Sequence, residues 1–146
     1  MSPSRRAAIA LSADEVAALL EQERTMILAT LGRDGWPHLM PMWYVVRDGE
    51  CWAWTYAKSQ KVRNLERDPR CTLQVETGER YDELRGVMLR CTCTLHRDLE
   101  TVAGVGEDLA ERYGGGRASM VEQAPKRVAM QFAVRDVASW DHRKLF

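Results

Sequence analysis

Short runs of β-prone residues, separated by turns rich in glycine and aspartate, constrain the fold of this chain more than any other feature. Residues 25–31 and 37–46 are joined by Gly32-Arg33-Asp34-Gly35, and Arg47-Asp48-Gly49 leads into residues 51–56. Glycine in such turns supplies the positive φ that tight hairpins need, so consecutive runs are predicted to pair as antiparallel hairpins. Further alternating runs follow at 71–77, 87–97 and 128–134.

Amphipathic segments flank these runs without a regular alternation of strand and helix. Leu11, Ser12 and Glu15 have the spacing of a hydrophobic staple and a capping box, which predicts a helix running to about Glu23. A second helix is expected from about 98 to 113, although two internal glycines weaken its pattern. The pattern therefore predicts a mainly β fold: a six-stranded antiparallel split barrel with flanking helices, not a doubly wound sheet.

Length and charge set limits on the class of protein. A chain of 146 residues with 45% hydrophobic residues is long enough to bury a core as one domain over residues 1–146. Its formal net charge of zero gives no general attraction to nucleic acid or to anionic membranes, so any anion site must be local. Neither an apolar stretch of roughly 18 residues nor a hydrophobic leader is present, which favours the cytoplasm.

The cysteine and histidine residues do not form a recognisable reactive set. The four cysteines, Cys51, Cys71, Cys91 and Cys93, lack the paired spacing of a zinc site and are interpreted as buried thiols. The histidines, His38, His96 and His142, are scattered. We therefore predict no metal site and no catalytic Ser-His-Asp or Cys-His group.

The segment most informative about function is 52–64, where a strand runs into a loop and then into a helix N-terminus. The first-turn amides, the hydroxyls of Thr55 and Ser59, and the ammonium groups of Lys58 and Lys61 are expected to converge on one anion. The helix dipole favours a phosphate near Ser59. A solvated basic turn with an ordinary serine cap has the same spacing, so spacing alone leaves both interpretations open.

Five motifs occur in a characteristic order over nearly the whole chain. They are Gly35-Trp36-Pro37-His38-Leu39, Pro41-Met42-Trp43-Tyr44, Lys58-Ser59-Gln60-Lys61-Val62-Arg63-Asn64-Leu65, Asp68-Pro69-Arg70 and Ser139-Trp140-Asp141-His142-Arg143-Lys144-Leu145. Together they resemble the pyridoxamine 5'-phosphate oxidase-like split barrels. More narrowly, they resemble the branch of flavin/deazaflavin oxidoreductases that uses coenzyme F420.

The resemblance implies a homodimer with an FMN-binding-like fold and two cofactors in grooves between the subunits. The implied cofactor is coenzyme F420, with FMN as the alternative, and its phosphate is held by Lys58, Ser59 and Lys61. Thr55 and Tyr56 are implied to line the strand beside the phosphate, and Met42 and Trp43 to flank the ring. Arg80 and Tyr81 are implied to reach the cofactor from a turn. Trp140, near the C-terminus, is implied to approach the groove of its own subunit or that of the partner.

The resemblance further implies an oxidoreductase that transfers a hydride between reduced F420 (or FMN) and a small electron-poor acceptor. The chain lacks the additional arginine-rich C-terminal motif of true pyridoxamine phosphate oxidases, so oxidation of vitamin B6 is not expected. His38 is the best proton-donor candidate. The alternative is a non-catalytic protein that binds or carries flavin, deazaflavin or haem. A nucleic-acid-binding role is disfavoured by the zero net charge.

Overall fold

The computed structural model describes residues 4–146 and shows a mainly β molecule with flanking helices. The strands are β1 (Met26–Leu31), β2 (Pro37–Met42), β3 (Val45–Arg47), β4 (Glu50–Tyr56), β5 (Arg70–Thr77), β6 (Arg85–His96) and β7 (Arg127–Asp141). The helices are α1 (Arg5–Ala8), α2 (Ala13–Gln22), α3 (Gln60–Arg67), α4 (Leu99–Tyr113) and α5 (Arg117–Gln123). No helix among the described residues has the length and apolar character needed to span a membrane.

The strands form one curled antiparallel sheet, a half-barrel, in the order β2-β1-β5-β6-β7-β4-β3. The sheet has seven strands, so the prediction of six is wrong. The run predicted over residues 37–46 is two strands, because the chain leaves β2 at Met42 and enters β3 at Val45 on the opposite edge of the sheet. Tyr44, between them, is fully buried and donates its hydroxyl to the Leu20 carbonyl at 2.6 Å.

Strand β7 lies inside the sheet, between β6 and β4. It was predicted only over residues 128–134 but continues to Asp141 because a β-bulge shifts its pairing with β6. Cys91 pairs with Val134 and Arg90 with Asp136, which leaves Arg135 as the extra residue. At the bulge, the alternation of inward-facing and outward-facing residues along the strand is interrupted. The second half of β7 therefore does not continue the pattern of its first half, which is why it could not be recognised as the same strand in the sequence.

Two apolar layers hold the helices to the sheet. One fills the inside of the curl, where Leu28, Leu73, Val87 and Phe132 are almost completely buried with the end of α2. The other lies between α4 and the β3–β4 edge, around Trp54. The predicted capping box of α2 is confirmed: Ser12 Oγ accepts from the Glu15 amide at 3.2 Å, and Glu15 Oε1 accepts from the Ser12 amide at 2.9 Å.

Hydrogen bonds join the segment before α2 to the C-terminal part of β7. The Asp141 amide donates to the Ile9 carbonyl at 2.7 Å, and the Leu11 amide donates to Ser139 Oγ at 2.8 Å. Lys144 Nζ donates to the Ala10 carbonyl at 3.0 Å. These bonds position α1 and α2 against β7.

Candidate functional site

The predicted anion site is the turn that joins β4 to α3, which we call the β4–α3 corner (Tyr56 to Lys61). The Ala57 amide donates to the Lys126 carbonyl at 2.9 Å, and the Ser59 amide donates to the Tyr56 carbonyl at 3.0 Å. These two bonds fix the turn against the start of β7. The corner thereby presents the free amides of the first turn of α3 together with Lys58, Ser59 and Lys61.

Ser59 occupies the N-cap position of α3, but its side chain does not cap the helix. Its Oγ atom is buried and has no hydrogen-bond partner within residues 4–146. Ser12 and Asp98, by contrast, both accept capping bonds at α2 and α4. Leaving a buried polar group without a partner costs about 1–3 kcal/mol. Ser59 is therefore not an ordinary capping serine, and its hydroxyl is available to hydrogen-bond a ligand.

Arg127, which the sequence analysis did not identify, completes the corner. As the first residue of β7 it pairs with Tyr56, and its guanidinium carbon lies 3.8 Å from the centre of the Tyr56 ring. Its Nε atom is buried without a partner in the described chain. Arg127 is far from Lys61 in the sequence and has no motif around it, so only the pairing of β4 with β7 reveals it.

The charges at the corner are positive and close to one another. Lys61 is partly buried, and this burial, followed by the positive charge of Arg127, lowers its pKa below the usual lysine value. Lys58 is exposed. Within residues 4–146 no carboxylate forms an ion pair with Lys58, Lys61 or Arg127. An anion bound here would be attracted by Lys61 and Arg127 and would relieve the repulsion between them.

Thr55 and Tyr56 face opposite sides of β4, because side chains alternate along a strand. Thr55 is buried on the inner side with Cys51 and Ala53. Tyr56 is exposed on the other side, where it contacts Arg127. Of the two predicted residues, only Tyr56 shares the side of the strand that carries Arg127.

Met42 and Trp43, at the end of β2, form a second group, which includes Tyr113. The Trp43 ring stacks on Tyr113, in the last turn of α4, with centroids 4.5 Å apart and planes 8° from parallel. The Tyr113 hydroxyl donates to the Arg24 carbonyl at 2.8 Å, which holds the ring in place. The rest of Trp43 is open to solvent, with half of its surface exposed.

Arg80, Tyr81 and Trp140 form a third group, at the far end of β6 and β7. Trp140 pairs with Gly86 and covers it so closely that a Cβ on Gly86 would overlap with Trp140 Cζ2. Trp140 lies thirteen positions after Arg127 on β7, on the order of 40 Å along a straight strand at roughly 3.3 Å per residue. A single chain therefore does not bring this group to the β4–α3 corner.

His38 lines a cavity of about 490 Å³ that is bounded by Gln60 and Asn64 of α3. Its Nδ1 atom is buried and has no partner among the described residues. The cavity borders the first turn of α3, so the proton-donor candidate lies on the same side of the molecule as the corner. Its role in proton transfer stays a prediction.

The interpretation of the cysteines as buried thiols is confirmed for all four. Burial raises the pKa of Cys51 to about 12 and that of Cys93 to about 12. A raised pKa disfavours the thiolate, which is the nucleophilic form. These side chains contribute to the core and not to the site.

A curled antiparallel half-barrel with a helix N-terminus at one corner defines the class of split-barrel proteins. The family model described as pyridoxamine 5'-phosphate oxidase matches residues 12–141, and the chain belongs to that family. No curated protein matches the chain.

Solved structures with the same fold include one close relative and several distant ones. The conserved hypothetical protein Rv2991 from Mycobacterium tuberculosis is 42% identical, with a TM-score of 0.91 over 98% of this chain and 92% of that one. An F420 reductase is 22% identical, with a TM-score of 0.70 over 82% and 93%. HutZ, the haem storage protein from Vibrio cholerae, is 17% identical, with a TM-score of 0.70 over 85% and 91%. The last two similarities show the fold alone.

Proposed function

We propose that this protein binds the phosphate of a flavin-type cofactor at the β4–α3 corner. The observation that carries the proposal is the buried, unpartnered Ser59 hydroxyl beside Lys61 and Arg127, which lack carboxylate partners. A phosphate supplies acceptor oxygens for the hydroxyl and for the free amides of α3, and negative charge for the two cations. The residues present therefore fit the group.

Coenzyme F420 is the cofactor we propose, with FMN as the alternative. Both offer a phosphate to the same corner, so the corner does not distinguish them. The motifs that resemble the F420-dependent branch support the first choice.

The proposed activity is that of an oxidoreductase acting on a small electron-poor acceptor. When bound, the reduced cofactor supplies the hydride. The chain then has to anchor the phosphate, orient the ring and exclude water. Lys61, Ser59 and Arg127 anchor the phosphate, and His38, in the cavity beside α3, is the candidate proton donor. No nucleophilic side chain is required.

A homodimer is part of the proposal, because one chain separates the predicted residues into three groups. A second copy supplies Met42, Trp43, Arg80, Tyr81 and Trp140 to the groove in which the first copy holds the phosphate. Exposed aromatic side chains support such an interface: Trp36 is 75% exposed and Tyr81 is 62% exposed. We further propose a single domain that acts in the cytoplasm, with which four free cysteines are compatible.

The test is equilibrium titration of FMN and of F420 into the wild-type protein and into Lys61→Ala, Ser59→Ala and Arg5→Ala variants. Loss of the Lys61 charge should weaken binding about tenfold or more. Ser59→Ala should weaken it by a smaller factor, because a neutral donor is lost. Arg5 is exposed in α1 and serves as the control cation. Unchanged affinity in Lys61→Ala and Ser59→Ala would remove the phosphate assignment.

Turnover distinguishes the oxidoreductase from the carrier. Reduced F420 is mixed with the protein and with quinones, unsaturated ketones or tetrapyrroles, and cofactor oxidation is followed by absorbance. Oxidation that depends on the acceptor supports the enzyme. Stoichiometric binding without oxidation, or preferential binding of haem, supports a carrier that shares its fold with the haem storage protein HutZ.

A further inference from the structure

A second concentration of positive charge lies on the outer face of the sheet. A cavity of about 530 Å³ opens over β1, β5 and β6, and its lining includes Arg70, Arg90 and Arg135. None of the described residues that line it is acidic. The whole chain has 21 basic and 21 acidic residues. The excess is therefore local and does not follow from a basic composition.

Arginine and threonine alternate across β5 and β6 at this cavity. Arg70 pairs with Thr92, and Thr72 pairs with Arg90. Cross-strand partners share a face of the sheet, as do residues two positions apart on one strand. The four side chains therefore form a block with arginines on one diagonal and hydroxyls on the other, and diagonal neighbours lie about 7–8 Å apart. The two arginines and the two threonines line the same cavity on this face of the sheet.

The bulge in β7 adds the third arginine to this block. Arg135 is the extra residue of the bulge, and bulges turn a side chain away from its regular direction. Its Nε atom donates to Thr92 Oγ1 at 3.1 Å. That bond holds the Arg135 guanidinium at the edge of the block. We call Arg70, Thr72, Arg90, Thr92 and Arg135 the Arg–Thr block.

Only one of these arginines is neutralised by a carboxylate within residues 4–146. Arg70 donates from Nε and Nη2 to Asp68, at 3.1 and 2.8 Å. Arg90 and Arg135 form no ion pair in the described chain. Asp136, the register partner of Arg90, lines a different cavity beneath α1. Arg135, held by Thr92, and the exposed Arg90 thus line the same space without an ion-pair partner in the described chain.

We propose that the Arg–Thr block binds a small oxyanion that carries two or more negative charges. Guanidinium groups bind carboxylate and phosphate oxygens through paired, geometrically matched hydrogen bonds, and the threonine hydroxyls add donors that need no further charge. The ligand is a small polyphosphate or polycarboxylate, since these share the required oxygens. This site does not depend on the cofactor proposed for the β4–α3 corner.

The test is calorimetric titration at constant ionic strength with pyrophosphate and, separately, with citrate. The titrations use the Lys58→Ala/Lys61→Ala protein, which removes both lysine charges from the β4–α3 corner and so reduces anion binding there. In this background Arg90→Gln and Arg135→Gln are compared with Arg5→Gln, which removes an exposed arginine of α1. Thermal unfolding checks that each variant is folded.

Saturable binding of one anion per chain is expected, weakened about tenfold or more by Arg90→Gln and by Arg135→Gln but not by Arg5→Gln. Tighter binding of pyrophosphate would identify phosphate chemistry, and tighter binding of citrate would identify carboxylate chemistry. Absence of saturable binding, or equal binding by all variants, would overturn the proposal. A change in oligomeric state without a change in anion affinity would also overturn it, because the arginines would then serve an interface.

Discussion

Ser59, Lys61 and Arg127 carry the physical argument for the candidate site at the scale of single residues. Ser59 has a buried hydroxyl without a partner, Lys61 has a lowered pKa, and Arg127 has a buried Nε without a partner. Each feature costs free energy in the free protein, and we propose that one bound anion would relieve all three. Perturbed polar groups that cluster in this way are typical of functional sites.

The affinity for FMN should fall as the pH rises through the lowered pKa of Lys61. Burial and Arg127 disfavour the ammonium form in the free protein, whereas a bound phosphate favours it. Lys61 therefore has a lower pKa in the free protein than in the complex. At a pH between these two values the complex holds a proton that the free protein has lost, so alkaline pH weakens binding. The phosphate, with a second pKa of about 6, keeps its charge in this range. FMN titrations from neutral to alkaline pH measure the slope.

Lys61→Met is the control for this pH dependence, because it keeps the apolar stem and removes the titrating group. The variant should bind more weakly than the wild type and show a flatter alkaline limb. An equally steep limb in both proteins would assign the titration to another group and remove Lys61 from the argument.

The four cysteines should resist a thiol reagent in the folded protein. Their thiols are buried, and burial raises the pKa of Cys91 to about 11, so the thiolate is scarce at neutral pH. Reaction with a chromogenic disulfide reagent should be slow in buffer and reach four thiols per chain in denaturant. Rapid modification of the native protein would contradict the structure of the inner core.

At the scale of elements, the contact of α4 with β4 depends on one glycine. A Cβ on Gly106 would lie 2.5 Å from Cζ3 of Trp54, whereas a Cβ on Gly104 would meet only the flexible end of Arg47, at 3.4 Å. Gly106→Ala should therefore destabilise the protein by about 1–3 kcal/mol through overpacking. Gly104→Ala should stabilise it by about 0.5–1 kcal/mol, since alanine favours the helix. Denaturant unfolding measures both.

These two substitutions control for each other, because both replace glycine by alanine within the same helix. A similar change in the free energy of unfolding for both variants would mean that α4 is not packed on Trp54 as described. The sequence showed both glycines only as weak points in a helical pattern. The packing partner that separates their roles lies about fifty residues away and is visible only in the fold.

Elements whose boundaries are set by neighbouring residues could be predicted from the sequence. Elements whose boundaries are set by contacts between distant parts of the chain could not. Ser12 and Glu15 predict the start of α2 because the capping hydrogen bonds join residues only three positions apart in the sequence. The break between β2 and β3 has no such signal: Trp43 and Tyr44 are both good strand formers, and the chain turns there because Tyr44 is buried against α2. Arg127 was missed for the same reason, since strand pairing alone brings it to Tyr56.

At the scale of the whole molecule, the proposed dimer predicts twice the chain mass of 16.7 kDa in solution. Leu39 on edge strand β2 is 56% exposed, and Leu99 at the start of α4 is 59% exposed. If the interface includes β2, Leu39→Asp should shift the protein towards monomers and weaken cofactor binding. Sedimentation velocity measures the mass of each species.

Leu99→Asp is the matched control, because it places the same charge at a site of similar exposure on another face. It should leave both mass and binding unchanged. A monomeric wild-type protein that still binds cofactor would contradict the proposed contribution of a second copy.

The class of fold followed from local patterns, but the order of the strands did not. Alternating runs and glycine turns indicate a mainly β, antiparallel molecule wherever the runs lie in the sheet. The sequence contains no equivalent signal for β7 lying between β6 and β4, because that position is decided by burial across the whole curl. The distance between Arg127 and Trp140 follows from the length of β7, on which both residues lie, and the motifs alone do not reveal that length.

The position of β7 also affects how the protein acquires its shape during synthesis. Among the strands of residues 4–146, the β3–β4 hairpin pairs with the remainder of the sheet through β7 alone. Until residues 127–141 have emerged from the ribosome, the nascent chain therefore holds an orphan hairpin with unpaired edges, which are sites of aggregation. The sheet can be completed only when β7 inserts between β6 and β4. A slow translation step shortly before residue 127 would prolong the time for which the edges of the hairpin are exposed.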